Sequence, residues 1–192
     1  MVTADVENHR RACGGFTAAV DQVDPARWAA STPCSEWDAA ALVEHVIGFH
    51  EFLLLRPTGV RADRPRSGPA ERWHATGAAI GAVLASPAVL DLAVDYFDGA
   101  TRRPRDLLRA LTSDVLVHTW DLGRATDGPD QLDPELCERA LRDADRAAPT
   151  AAGASALYAA RVPVPEGSDP QTRLLGLLGR DPSWQPLRSA DR

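Results

Sequence analysis

The chain has 192 residues, of which 44% are apolar and 25% charged, and its formal net charge is −6. This is the mix of an ordinary globule rather than of a disordered or membrane-embedded chain, and the length suits one domain spanning residues 1–192. The negative balance argues against nucleic acid, whose phosphates need clustered cations; all 21 cations are arginine, which excludes lysine Schiff bases and lysine-built phosphate loops.

No apolar run approaches the ~20 residues needed to cross a bilayer. Residues 1–11 mix acids and bases with no hydrophobic block behind them, so a cytoplasmic protein with no membrane partner is expected. Cys13, Cys34 and Cys137 are odd in number and far apart, which indicates neither a disulfide framework nor a thiolate zinc site. Only Cys34, after Pro33 and just before a helix start, sits where a thiol could be activated. Arginine in place of lysine, with abundant alanine, fits a GC-rich genome.

In chain order, Ala12, Phe16, Ala19, Val20 and Val23 at helical spacing predict a helix over 6–23, ended by Asp24-Pro25. A second helix is expected over 36–55, capped by Ser35 with Glu36 and Asp38 in its first turn. The Pro-, Gly- and Arg-rich stretch 56–69 reads as a mobile surface loop. A third helix follows over 70–85, and 89–97 reads as a short extended or irregular link. Pro104 opens a long helix to residue 125, stopped by Asp127-Gly128-Pro129. Beyond it 134–147 is helical, 148–158 is Ala-rich and ambiguous, 162–170 is a Pro-rich connector and 171–178 is a last short helix. Helices joined by short links make an all-α bundle.

Two helices carry polar groups on a core-like stripe. In the second, Asp38, Leu42, His45, Phe49 and Phe52 follow steps of 4, 3, 4 and 3, which points His45 inward. In the Pro104 helix Leu107, Leu111, Asp114, His118 and Asp121 follow the same steps. Burying carboxylates costs several kcal/mol unless they are paired or coordinated, and a metal ion is one such partner. Asp114 and His118, one turn apart on one face, with His45 from the facing helix, make a two-histidine, one-carboxylate set with open coordination positions. Nitrogen and oxygen donors suit zinc, nickel, iron or manganese, and affinity order alone does not choose among them. Asp121 is better placed to orient an imidazole or to act as an acid/base group than to ligate. The competing reading keeps His45 and the Asp114–His118 pair as hydrogen-bonded core groups; His9, His50 and His74 lie off the stripes and read as structural, and Trp37 and Trp120 as packing.

The runs Thr32-Pro-Cys-Ser-Glu-Trp-Asp38, Leu42-Val-Glu-His-Val46, Asp114-Val-Leu-Val-His-Thr-Trp-Asp-Leu122 and Arg124-Ala-Thr126 carry a resemblance that extends to Val162-Pro-Val-Pro165 and Leu174-Leu-Gly-Leu-Leu-Gly-Arg-Asp181. They resemble an actinobacterial metal-binding family related to the N-terminal domain of mycothiol-dependent maleylpyruvate isomerase, within the DinB/YfiT-like superfamily. The resemblance implies a DinB/YfiT-like four-helix bundle with extra short helices, and metal ligands at His45, Asp114 and His118. The isomerase has glutamate where this chain has Asp114. Three activities share those ligands: a thiol transferase or isomerase in which the metal, zinc foremost, activates a thiol such as mycothiol toward an electrophile; a non-catalytic metal- or ligand-binding stress protein; and a metal hydrolase. In the first, Asp121 would move protons, and Arg124 or the arginines of 56–66 would hold a carboxylated substrate. Exposed apolar helix faces suggest a homodimer.

Overall fold

The computed structural model describes residues 4–147 and 160–186. Helix α1, Ala4–Asp21, buries Val6, His9, Ala12, Phe16, Ala19 and Val20, which recur at three- and four-residue steps. It stops before Val23, because Asp24 accepts from the Ala26 amide and starts a 3-10 turn, Pro25–Arg27.

Helix α2, Ala39–His50, starts later than expected and with a different cap: Asp38, not Ser35, accepts from the Ala41 amide at 2.8 Å. Residues 31–38 are held off the helix by Thr32, whose hydroxyl accepts from the Cys34 amide at 3.1 Å and lies 2.9 Å from the Trp37 carbonyl. The helix then runs straight into a π turn, Glu51–Leu55, in which the Arg56 amide donates to the Glu51 carbonyl. The expected end at residue 55 therefore holds, with a change of winding at His50.

Helix α3, Pro69–Leu84, opens on a proline whose missing N–H costs nothing in the first turn. Ser86 caps a single turn, α4, Pro87–Leu90, so only the later part of 89–97 is extended. There β1, Val94–Asp95, pairs antiparallel with β2, Thr101–Arg102, placing Val94 opposite Arg102. Helix α5, Pro104–Thr126, ends at Asp127 in the left-handed conformation, φ 58°. Arg27 reaches its last turn and donates to the Ala125 carbonyl at 2.8 Å. Helices α6, Pro134–Ala147, and α7, Pro170–Leu177, pack on one another, and α6 also packs on α5. The Ala-rich segment 148–158 lies outside the described residues.

The fold is all-α: a four-helix bundle in which α1 and α2 each pack against both α3 and α5. Phe16 meets Trp73 edge-on at 4.8 Å between ring centres, and the Trp73 indole N–H donates to Thr17 at 2.9 Å. Leu42, Leu108, Leu111 and Leu122 are fully buried around them. No helix among the described residues is long and apolar enough to cross a membrane.

The buried face of α2 differs from the stripe read in the sequence. Leu42, Val43, Val46, Ile47 and His50 are buried, whereas Asp38 is exposed and Phe52 is 41% exposed. His45 and Phe49 stand half-buried at the rim.

Candidate metal centre

That rim position opens His45 onto a cavity of about 330 Å³ between the turn before α2, the second half of α2, the middle of α5 and the segment after α7. Its wall includes Cys34, Trp37, His45, Asp114, His118 and Arg180. A volume in this range suits a small organic ligand.

Asp114 stands at the centre of the cluster. One of its oxygens, Oδ1, lies 3.5 Å from His45 Nε2 and 3.5 Å from His118 Nε2. The other, Oδ2, is buried and has no hydrogen-bond partner among the described residues. A buried carboxylate oxygen left bare costs about 1–3 kcal/mol or more, so this carboxylate calls for a further partner, such as a cation. Donor atoms about 2.0–2.2 Å from one tetrahedral ion stand about 3.3–3.5 Å from each other, and the histidine–aspartate spacings match. The three residues fit a divalent metal, and the shorter aspartate side chain still reaches both imidazoles.

The imidazoles are held from behind. Trp37 stacks on His45 at 4.3 Å between ring centres, and Phe49 stacks on it at 5.8 Å. His118 Nδ1 donates to Asp121 Oδ2 at 2.9 Å, which orients the ring and turns Nε2 toward Asp114. Asp121 is fully buried, and its charge is matched by Arg180, whose guanidinium donates to the same oxygen at 2.9 Å. The same nitrogen of Arg180 lies 3.0 Å from Cys34 Sγ. Cys34 Sγ also donates to Asp121 Oδ2 at 3.4 Å, so it joins the cluster through both Asp121 and Arg180.

Burial opposes charge throughout this cluster, but pairing wins. Asp114 is held well below the usual carboxylate range by His118 and His45. His118 is held above its ordinary value, against burial, by Asp114, Asp121 and Cys34. Asp121 lies below its ordinary value because His118 and Arg180 outweigh burial. Asp114 and Asp121 are thus kept ionised, the state that favours a cation.

The structure brings His45, Asp114, His118 and Asp121 together and leaves other expected residues elsewhere. Arg124 does not line the cavity: it pairs with Asp130 at 3.1 Å, donates to the Pro182 carbonyl and covers the Trp120 ring. In the 56–69 loop, Arg56 and Arg64 both pair with Glu51, and Arg64 and Arg66 border a separate shallow cleft beside Arg72. His74 pairs with Asp21 at the surface. Sequence reasoning missed Arg180, whose only signal was its place in the Leu174–Asp181 run.

Residues 9–123 match the family model described as mycothiol maleylpyruvate isomerase N-terminal domain. The chain belongs to that family. The matched span holds all four α5 and α2 site residues, whereas Arg180 comes from beyond it. The family assignment also places the bundle with the DinB-like proteins. Two uncharacterized proteins of Mycobacterium tuberculosis, MT0763 of strain CDC 1551 / Oshkosh and Rv0738 of strain H37Rv, are each 32% identical over 180 residues, covering 90% of this chain and 95% of their own length. No solved structure matches the chain significantly.

Proposed function

We propose that the protein binds one divalent metal ion, zinc foremost, through His45, Asp114 and His118, and uses it in thiol-dependent group transfer or isomerisation. The observation that carries this reading is Asp114 at the wall of an open cavity, its Oδ1 3.5 Å from each of two imidazole nitrogens and its buried Oδ2 without a hydrogen-bond partner. When bound, such an ion supplies a Lewis acid that lowers the pKa of a coordinated thiol, and membership of a mycothiol-related family favours mycothiol as that thiol.

The chain's own residues do the positioning. Asp121 holds the His118 ring in place and turns its Nε2 toward Asp114. Trp37 and Phe49 stack on His45 and hold its ring in place. Arg180 balances the Asp121 charge and stands at the cavity wall beside Cys34, where a guanidinium favours an anionic sulfur or carboxylate. Asp121 is fully buried among His118, Arg180 and Cys34, so orienting His118 accounts for it better than proton exchange with a substrate.

The test is metal content of tag-free wild-type protein against His45→Ala and Asp114→Asn, followed by turnover of an electrophile with and without mycothiol. One equivalent lost in both variants, with turnover that needs the thiol, is expected. Equal metal in all three proteins would sink the site; metal without any thiol-dependent turnover would leave a binding protein, and turnover by water alone a hydrolase.

A further inference from the structure

A second cluster lies between α1 and α2. His9 and His50 are both fully buried, with their Nε2 atoms 3.3 Å apart and their rings stacked at 5.2 Å between centres. Cys13, one turn along α1, places its sulfur 3.6 Å from His9 Nε2.

The neighbours fix both tautomers. His50 Nδ1 lies 2.7 Å from the Val46 carbonyl, which only accepts, so this nitrogen carries the proton. His9 Nδ1 lies 3.1 Å from the Thr112 hydroxyl, whose single proton goes to the Leu108 carbonyl at 2.6 Å, so His9 Nδ1 must donate as well. Burial drives both imidazoles below their ordinary pKa, with His50 adding to the effect on His9 and His45 to that on His50, against the opposing pull of the Val46 carbonyl and Asp114 on His50. Two neutral rings therefore aim Nε2 lone pairs at each other. The Cys13 thiol can satisfy one of them and leaves the other bare. A shared proton would put a cation in the core, and among the described residues no carboxylate hydrogen-bonds to either ring; Trp73 meets His50 edge-on instead.

The spacing matches a different occupant. Nitrogens about 2.0–2.1 Å and a thiolate about 2.3 Å from one tetrahedral ion stand about 3.3–3.4 Å (N to N) and 3.6 Å (N to S) apart. The observed separations are 3.3 and 3.6 Å, and all three donor atoms lie within 4.8 Å of one another. We infer that His9, Cys13 and His50 form a second metal site, for a soft or borderline transition ion of the zinc kind. It shares no residue with the His45 cluster. The sulfur donor and the buried rings suit a structural clamp that ties α1 to α2. Half-buried Cys13 marks the side of entry. Burial pushes its thiol up to about 12, so binding expels the thiol proton to solvent: thiol plus ion gives ion-bound thiolate plus one released proton.

Cobalt(II) serves as the probe, in protein carrying His45→Ala and Cys34→Ser so that the first cluster and its neighbouring sulfur cannot contribute. A near-ultraviolet thiolate-to-cobalt charge-transfer band that saturates at one equivalent is expected, with a metal-dependent rise in Tm. Both should vanish on adding Cys13→Ser, or Cys13→Ala if the serine variant fails to fold. Cobalt bound without that band, a band that survives loss of Cys13, or no cobalt bound at all would each overturn the site.

Discussion

Asp121 accepts from His118 Nδ1 and from Arg180 through one and the same oxygen, Oδ2, at 2.9 Å each. A charge of opposite sign thus stands on either side of one buried carboxylate. Replacing Asp121 by asparagine keeps the shape and removes the anion that favours His118 as an Nε2 donor. Metal affinity at His45, Asp114 and His118 should fall about 10–100-fold, read by competition with a chromophoric chelator. Unchanged affinity would refute the orienting role.

Arg180 should matter for folding as much as for the site. Its loss leaves the Asp121 charge with His118 as its one cationic partner and the Cys34 thiol as a weak donor, in a fully buried position. Arg180→Ala should cost about 3–5 kcal/mol in urea unfolding, and Arg180→Lys should recover only part of it, because an ammonium cannot span Asp121, Cys34 and the Leu178 carbonyl together. A loss below about 1 kcal/mol would mean that water replaces the guanidinium at little cost.

Much of this architecture was legible in the sequence. On α5 the aspartate and histidine share a face by simple helical spacing, and that face packs on α2, so Asp114, His118 and Asp121 fall where periodicity puts them. Helix α2 misled because it sits between α3 and α5 and buries a wide arc rather than one stripe. Reading Val43, Val46, Ile47 and His50 as a second apolar row would have moved His50 into the core. The cap went to Asp38 because Thr32 closes the preceding turn and keeps residues 33–37 from winding. Arg180 was out of reach: it meets Asp121 across 59 positions, from a segment with no periodic pattern.

Stability of the metal-free protein should peak near pH 6.5. His9 and His50 lie below their ordinary value when folded, so below about 6.5 the unfolded chain gains protons that the folded chain does not, and stability falls with pH. His118 lies above it, so its contribution is complete below about 6.5 and is lost as pH rises through its folded value. Urea midpoints across pH 5 to 9 should show both limbs. His50→Gln should flatten the acid limb and His118→Gln the alkaline one; a profile unaffected by either would contradict the assignment.

Gly123 stands where α5 passes the chain that leaves it. A Cβ there would lie 2.2 Å from the Pro129 carbonyl oxygen, and backbone cannot yield as a side chain would. Gly123→Ala should therefore destabilise by about 1–3 kcal/mol despite alanine's better helix propensity. Each kcal/mol lowers Tm by about 2–4 °C in a chain of this size, which calorimetry resolves. A rise in Tm would show that residues 128–130 move aside freely.

The tie between Asp121 and Arg180 also sets an order of events during synthesis. When α5 has left the ribosome, His45, Asp114, His118 and Asp121 have all been made, but the guanidinium that neutralises Asp121 is still to be translated. Until it arrives, the nascent bundle carries an acidic pocket with surplus negative charge, at its most attractive to a cation and its least stable as a fold. The last helix and the residues just after it act as a latch that closes on a pocket already shaped.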